Sequence, residues 1–158
     1  MKSVAPAFPH SFHDRMPPEV TRLVRRHLQF GWWSLLLFLT FGLTLEALHG
    51  FKAGLYLNVS NEMRRLMWTL AHAHGALLAL VHIAFAVTIP IVSAWTASSR
   101  AFASVCLMAA SVLLPGGFLI GGLFLHQRDP GLGIVLVPIG ALLLFVVAFL
   151  AARALKAK

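Results

Sequence analysis

Apolar residues in this chain gather into four long blocks, residues 28–48, 66–89, 101–125 and 132–152, rather than recurring at the spacing of an amphipathic surface helix. A helix that crosses the hydrocarbon core of a bilayer needs about 20 predominantly apolar residues, and each block is long enough. Nothing alternates apolar with polar over segments of about ten residues, as strands of a membrane β-barrel do. The pattern predicts an all-α, polytopic membrane protein: a four-transmembrane-helix bundle over 28–152, with a basic leader at 1–27 and a basic tail at 153–158. The leader begins polar and proline-rich and so does not read as a cleavable signal. Its segment "PPEVTRLVRRHLQF" reads either as a short interfacial helix with prolines in its first turn or as a solvated stretch that sets topology.

Composition sharpens this picture. Hydrophobic residues make up 59% of the chain and charged ones 11%, against about 45–50% and about 25% in soluble domains. The net charge of +8 raises the question of a nucleic-acid partner, but the cations are distributed by side. Nine of the 13 Lys and Arg residues fall in the leader, the second connection and the tail, while Lys52, Arg64, Arg65 and Arg128 fall opposite. The positive-inside rule then predicts both termini in the cytoplasm, a plasma (inner) membrane location with the lipid bilayer as partner, and no nucleic acid. Trp32, Trp33, Trp68 and Trp95 lie near block ends and are expected at headgroup level. A single cysteine, Cys106, excludes an intrachain disulfide and a cysteine-based zinc cage.

The candidate chemistry concentrates at the predicted outer end. Glu46 and His49 end the first span, His72 and His74 lie in the outer part of the second, and His126 ends the third. Ionisable groups inside a membrane are costly, so five that converge in depth form the candidate ligand set for a metal or a proton. Glu46 and His49, three apart, share one helix face. His72 and His74 are about 200° apart on a helix and must look at different neighbours, and His82 lies about 12–15 Å deeper. For His82 the plain expectation is a hydrogen bond to a Ser, a Thr or a carbonyl on a neighbouring helix. In "LLPGGFLIGGLFLHQ", Pro115 removes a helix hydrogen bond and the glycines remove bulk, predicting a kinked third helix. Gly117 and Gly121 form a G-x-x-x-G pattern that predicts close helix packing, with a slot for a flat ligand beside His72 and His74 as the alternative. Asn58-Val59-Ser60 matches the glycosylation acceptor pattern.

The stretch "AHAHGALLALVHIAF" resembles the histidine-bearing helices of membrane haem proteins, such as haem-copper oxidase subunit I and b-type cytochromes. The resemblance implies haem as cofactor, with His72 or His74 as one axial ligand and His49 or His126 as the other. Spans three and four carry no interior histidine, so such a haem would sit near the outer surface or between subunits. Three functional readings follow. One is a haem or transition-metal protein, an electron-transfer or oxidase-associated subunit with Glu46, His49, His72, His74 and His126 as ligands. Another is a small proton-coupled carrier acting as a homo-oligomer. The last is a non-catalytic assembly subunit of a larger membrane complex. No nucleotide-binding glycine motif or catalytic triad points to soluble enzyme chemistry.

Overall fold

The computed structural model describes residues 16–58, 62–126 and 129–156, and the described residues contain helices and no strand. Val59 and Ser60 of the glycosylation pattern and most of the leader lie outside the described residues. Five α-helices follow in order: α1 (Pro18–Gly50), the short α2 (Gly54–Leu57), α3 (Glu62–Ile91), α4 (Ala97–Leu123) and α5 (Leu136–Lys156), the last entered through a 3-10 turn at Leu132–Val135. Four of these helical segments are long and apolar enough to cross a membrane.

Local chemistry sets the helix ends. Pro17 and Pro18 open α1, where the fixed proline φ suits a first turn and the missing N–H is no loss, and Glu19 complements the helix dipole. The helix then runs unbroken into the first apolar block, so residues 18–27 belong to α1 itself and not to a separate leader helix. Val20, in that stretch, is buried in the core. Lys52, with φ of 51°, turns the chain after α1 in the left-handed region. Thr96 caps α4, its hydroxyl oxygen accepting from the Ser99 amide. α4 continues through Pro115 and the glycines without interruption.

Each long helix packs chiefly on its neighbour in the chain: α1 on α3, α3 on α4, and α4 on α5. The central pair carries the core. In their most apolar stretches 39% of α3 and 50% of α4 is buried, against 11% for α1 and for the α5 segment. Large apolar side chains such as Trp33, Leu43, Leu77, Val112, Leu142 and Phe145 face outward from all four helices. A surface so widely apolar suits a lipid environment. Trp32 and Trp33 are exposed near the middle of α1 rather than at its end, because α1 begins ten residues before its apolar block. Trp95 is buried, its indole N–H donating to Ser99 Oγ at 3.1 Å, so its ring serves the core rather than the helix surface.

The glycines of α4 serve packing. A Cβ on Gly117 would stand 2.9 Å from the Gly133 carbonyl oxygen and 2.9 Å from Val137 Cγ2, and one on Gly122 would meet the Trp68 ring at 2.7 Å. The space near the second-span histidines is thus taken up by Trp68, the 3-10 turn and α5. Gly121 is looser, with nothing nearer than Ile134 N at 3.6 Å. Gly117→Leu is therefore expected to cost about 1–3 kcal/mol by overpacking, while Gly121→Ala stays close to wild type. Thermal unfolding in detergent measures both, and equal losses would contradict the tighter seat of Gly117.

Candidate functional site

The most enclosed polar group among the described residues is formed by His27 of α1, His82 of α3, and Ser104 and Ser111 of α4. Both histidines are fully buried. Helical periodicity brings each residue inward. Val20, Val24, His27 and Gly31 fall at successive four- and three-residue steps along the face of α1 that meets α3, and Ser104 and Ser111 lie two turns apart on one face of α4. The approach of α1 to α3 is close here because Gly31 has no side chain: a Cβ would stand 3.0 Å from the Ala79 carbonyl oxygen and 3.2 Å from His82 Cβ.

The two rings stack, with centroids 4.8 Å apart and planes at 25°. Their Nδ1 atoms are 2.7 Å apart, His27 Nε2 lies 2.7 Å from Ser104 Oγ, and His82 Nε2 lies 2.9 Å from Ser111 Oγ. Ser111 Oγ also lies 2.9 Å from the Leu107 carbonyl oxygen one turn back. Donor accounting assigns the protons. If the Ser111 hydroxyl donates to Leu107 O, its oxygen accepts from His82 Nε2–H. His82 Nδ1 is then a lone pair that accepts from His27 Nδ1–H, and His27 Nε2 accepts from the Ser104 hydroxyl. Every polar atom is satisfied with both rings neutral. Reversing all donors also keeps both rings neutral, with Ser111 donating to His82 Nε2, His82 Nδ1–H to His27, and His27 Nε2–H to Ser104 Oγ, but the Ser111 hydroxyl then gives up its bond to Leu107 O. Either way a single proton lies between the two Nδ1 atoms.

Aromatic rings seal this chain of bonds. Phe85 meets His27 edge-on at 4.7 Å, Phe30 tilts over His82 at 4.5 Å, and Trp95 closes on Phe85 at 5.4 Å. His82 has the serine partner its sequence position suggests. His27 was hidden in the leader, where it reads as one more polar residue among arginines. The signal that identifies it is the buried stripe Val20–Val24–His27–Gly31, which carries helical periodicity back across the apparent block boundary.

Four of the five residues singled out at the opposite end divide among three pockets. Glu46 and His72 line a crevice of about 330 Å³ between α1 and α3, with Tyr56 and Thr69. His49 lines an adjoining pocket of about 730 Å³, which shares Tyr56 and Thr69 and adds Glu62 and Arg65. His126 lines a separate pocket of about 710 Å³ with Ile120, Phe124 and Asp129. His72 Nδ1–H donates to the Phe38 carbonyl of α1 at 2.8 Å, whereas His74 Nδ1–H donates to Leu70 O of its own helix at 2.8 Å and its ring lies 4.9 Å from that of Phe118 on α4. The two histidines face different helices, as their angular separation requires. The structure thus gathers Glu46, His49 and His72 around Tyr56 and Thr69, and sets His74 and His126 apart.

This arrangement gives haem or metal ligation no support. Among the described residues no group of three or more His, Cys, Asp or Glu side chains is disposed to hold a metal ion. The buried pair is no better suited. Ligand nitrogens lie about 2.0–2.1 Å from a zinc-like ion, and two of them around one tetrahedral ion stand more than about 3 Å apart. The 2.7 Å between the Nδ1 atoms fits a shared proton instead.

Fold and site together define an all-helical protein with four helices long and apolar enough to cross a membrane and a buried histidine pair where three of them meet. Comparison with known proteins returns no matching family, no matching curated relative and no matching solved structure.

Proposed function

We propose that this chain is a multi-pass membrane protein with both termini in the cytoplasm, and that it works as a small proton-coupled carrier whose proton-handling element is the His27–His82 pair. The observation that carries this reading is the 2.7 Å contact between two fully buried imidazole nitrogens on different helices. Ionisable groups placed inside a membrane bundle are by default candidates for function. The orientation rests on charge. Arg22, Arg25, Arg26, Arg100, Arg153 and Lys156 flank the start of α1, the start of α4 and the end of α5, which share one end of the molecule. The pair lies toward that cationic end.

Purified protein in liposomes loaded with a pH-sensitive dye, energised by a potassium diffusion potential, tests the proposal. Wild type is expected to carry protons above the rate of empty liposomes. Removing a positioned proton-transfer group costs about 10²–10⁴-fold in rate, so the His27→Phe/His82→Phe variant is expected to fall to the empty-liposome rate. Wild-type flux equal to that of empty liposomes would overturn the reading, as would full flux in the double variant.

A further inference from the structure

The serine–histidine chain ends blindly on the far side of His82, at the helix carbonyl of Leu107. A proton that reaches the pair from outside must therefore travel along the seam between α1 and α3. We infer that the crevice formed by Glu46 and His72 is a second proton-accepting site on that seam, and that the Phe38 ring seated on Gly75 is the barrier between it and the His27–His82 pair. This inference rests on the proton-carrier reading and adds to it a place of entry and a gate.

Three observations support it. First, His72 and His82 both turn toward α1, ten residues apart on α3, which is about 15 Å along the axis. Secondly, the His72 ring commits Nδ1–H to the Phe38 carbonyl. That fixes the neutral tautomer and leaves Nε2 with the lone pair needed to accept a proton, in a crevice that Glu46 also lines. Thirdly, Phe38 itself closes the path. Its ring packs directly on Gly75, one turn below His72, at the place where a Cβ would stand. Below it the seam continues through Ala79, which is buried, to His82.

Charged groups around each site fit a proton rather than a larger ion. The outer crevice and the pocket that adjoins it are lined by Glu46 and His49 from α1, Tyr56 from α2, and Glu62 and Arg65 from α3, a mixture with no strong excess of either sign. The inner pair has Arg26 beside it on α1, and Arg100 lies one turn before Ser104 on α4. The step is a simple transfer. A proton from outer water binds Glu46 carboxylate or His72 Nε2, and when the Phe38 ring swings off Gly75 it passes through entering water to His82. In the arrangement with His82 Nδ1–H, the Ser111 hydroxyl turns to Leu107 O so that His82 Nε2 takes this proton. His82 passes its Nδ1 proton to His27 Nδ1, and His27 releases its Nε2 proton to Ser104 Oγ as the Ser104 hydroxyl gives up its own toward the cationic end. That leaves the pair in the first arrangement of donors. No group is oxidised or reduced.

Cysteine accessibility tests the route without reference to flux. In a Cys106→Ser background, Thr69→Cys is expected to react with a membrane-impermeant cationic thiosulfonate added from outside. Ala79→Cys is expected to stay unreactive until Phe38→Ala is added, and then to label many times faster. Glu46→Gln is expected to slow liposome proton uptake, while Asp129→Asn, in the separate His126 pocket, leaves it at the wild-type rate. Unreactive Thr69→Cys, or Ala79→Cys still protected beside Phe38→Ala in a protein with wild-type circular dichroism, would overturn the seam. Wild-type flux in Glu46→Gln would overturn the outer site while leaving the inner pair standing. Labelling as expected with no wild-type flux would instead sink the carrier reading alone.

Discussion

His27→Phe and His82→Phe, made singly, are each expected to destabilise the protein by about 1–3 kcal/mol, the cost of leaving one buried polar group without its partner. Made together they are expected to cost less than the sum by about 1 kcal/mol or more, the signature of directly coupled residues. The reason is the bond accounting. With His82 gone, His27 can give its one proton to only one of its two nitrogens, and Nδ1 faces a phenyl ring. With His27 gone, His82 keeps Ser111 but loses its other partner. With both gone, two rings of similar shape remain stacked, Ser111 keeps its bond to Leu107 O, and Ser104 can turn to its own helix in the same way. Interhelical hydrogen bonds inside membranes average only about 0.6 kcal/mol and reach about 1.7. This pair belongs at the upper end because each ring is also held by a serine at its other nitrogen. Reversible unfolding in mixed micelles measures the cycle, and strictly additive losses would show that the rings do not share a proton. A double variant that keeps its stability yet carries no protons would separate the fold from the function.

Gly31→Leu is expected to be the most damaging single change on α1, costing about 1–3 kcal/mol as an overpacked contact and pulling the histidine pair apart. Even a Cβ would stand 2.9 Å from Ile83 Cγ1 and 3.0 Å from the Ala79 carbonyl oxygen. The backbone oxygen cannot rotate away, so α1 must shift off α3. His27 rides on α1 one turn from Gly31, and a shift of a few tenths of an ångström already strains a 2.7 Å bond. Gly42→Ala should be milder, because its Cβ would meet the His72 ring, the free end of a side chain. Gly50→Ala, with nothing within 4 Å, should be neutral or slightly stabilising. Melting temperatures in detergent rank the three. Wild-type melting of Gly31→Leu would place α1 away from α3.

The number and order of the four long apolar helices were legible in the sequence, because the transfer free energy of about 20 apolar residues is additive and needs no knowledge of neighbours. Helix starts were legible in part. The paired prolines act within one turn, whereas the true beginning of the first span was obscured by arginines that face away from α3 while Val20, Val24 and His27 face toward it. That His72 and His74 look at different helices followed from angle alone. Which histidine meets which could not be read, because a ring that hydrogen-bonds its own helix, as His74 does, and one that bonds across helices, as His82 does, occupy equivalent positions in an apolar run.

The sequence by itself therefore determined a class, an all-helical protein with four helices long and apolar enough to cross a membrane, since composition and block length are sums over residues. Only the tertiary structure decided where its chemistry lies. Glycine at positions 31 and 75 lets α1 and α3 approach, and rotation of each helix selects the side chains that meet in the gap. Those are pairwise distances between residues 55 positions apart, as for His27 and His82, and no local pattern encodes them.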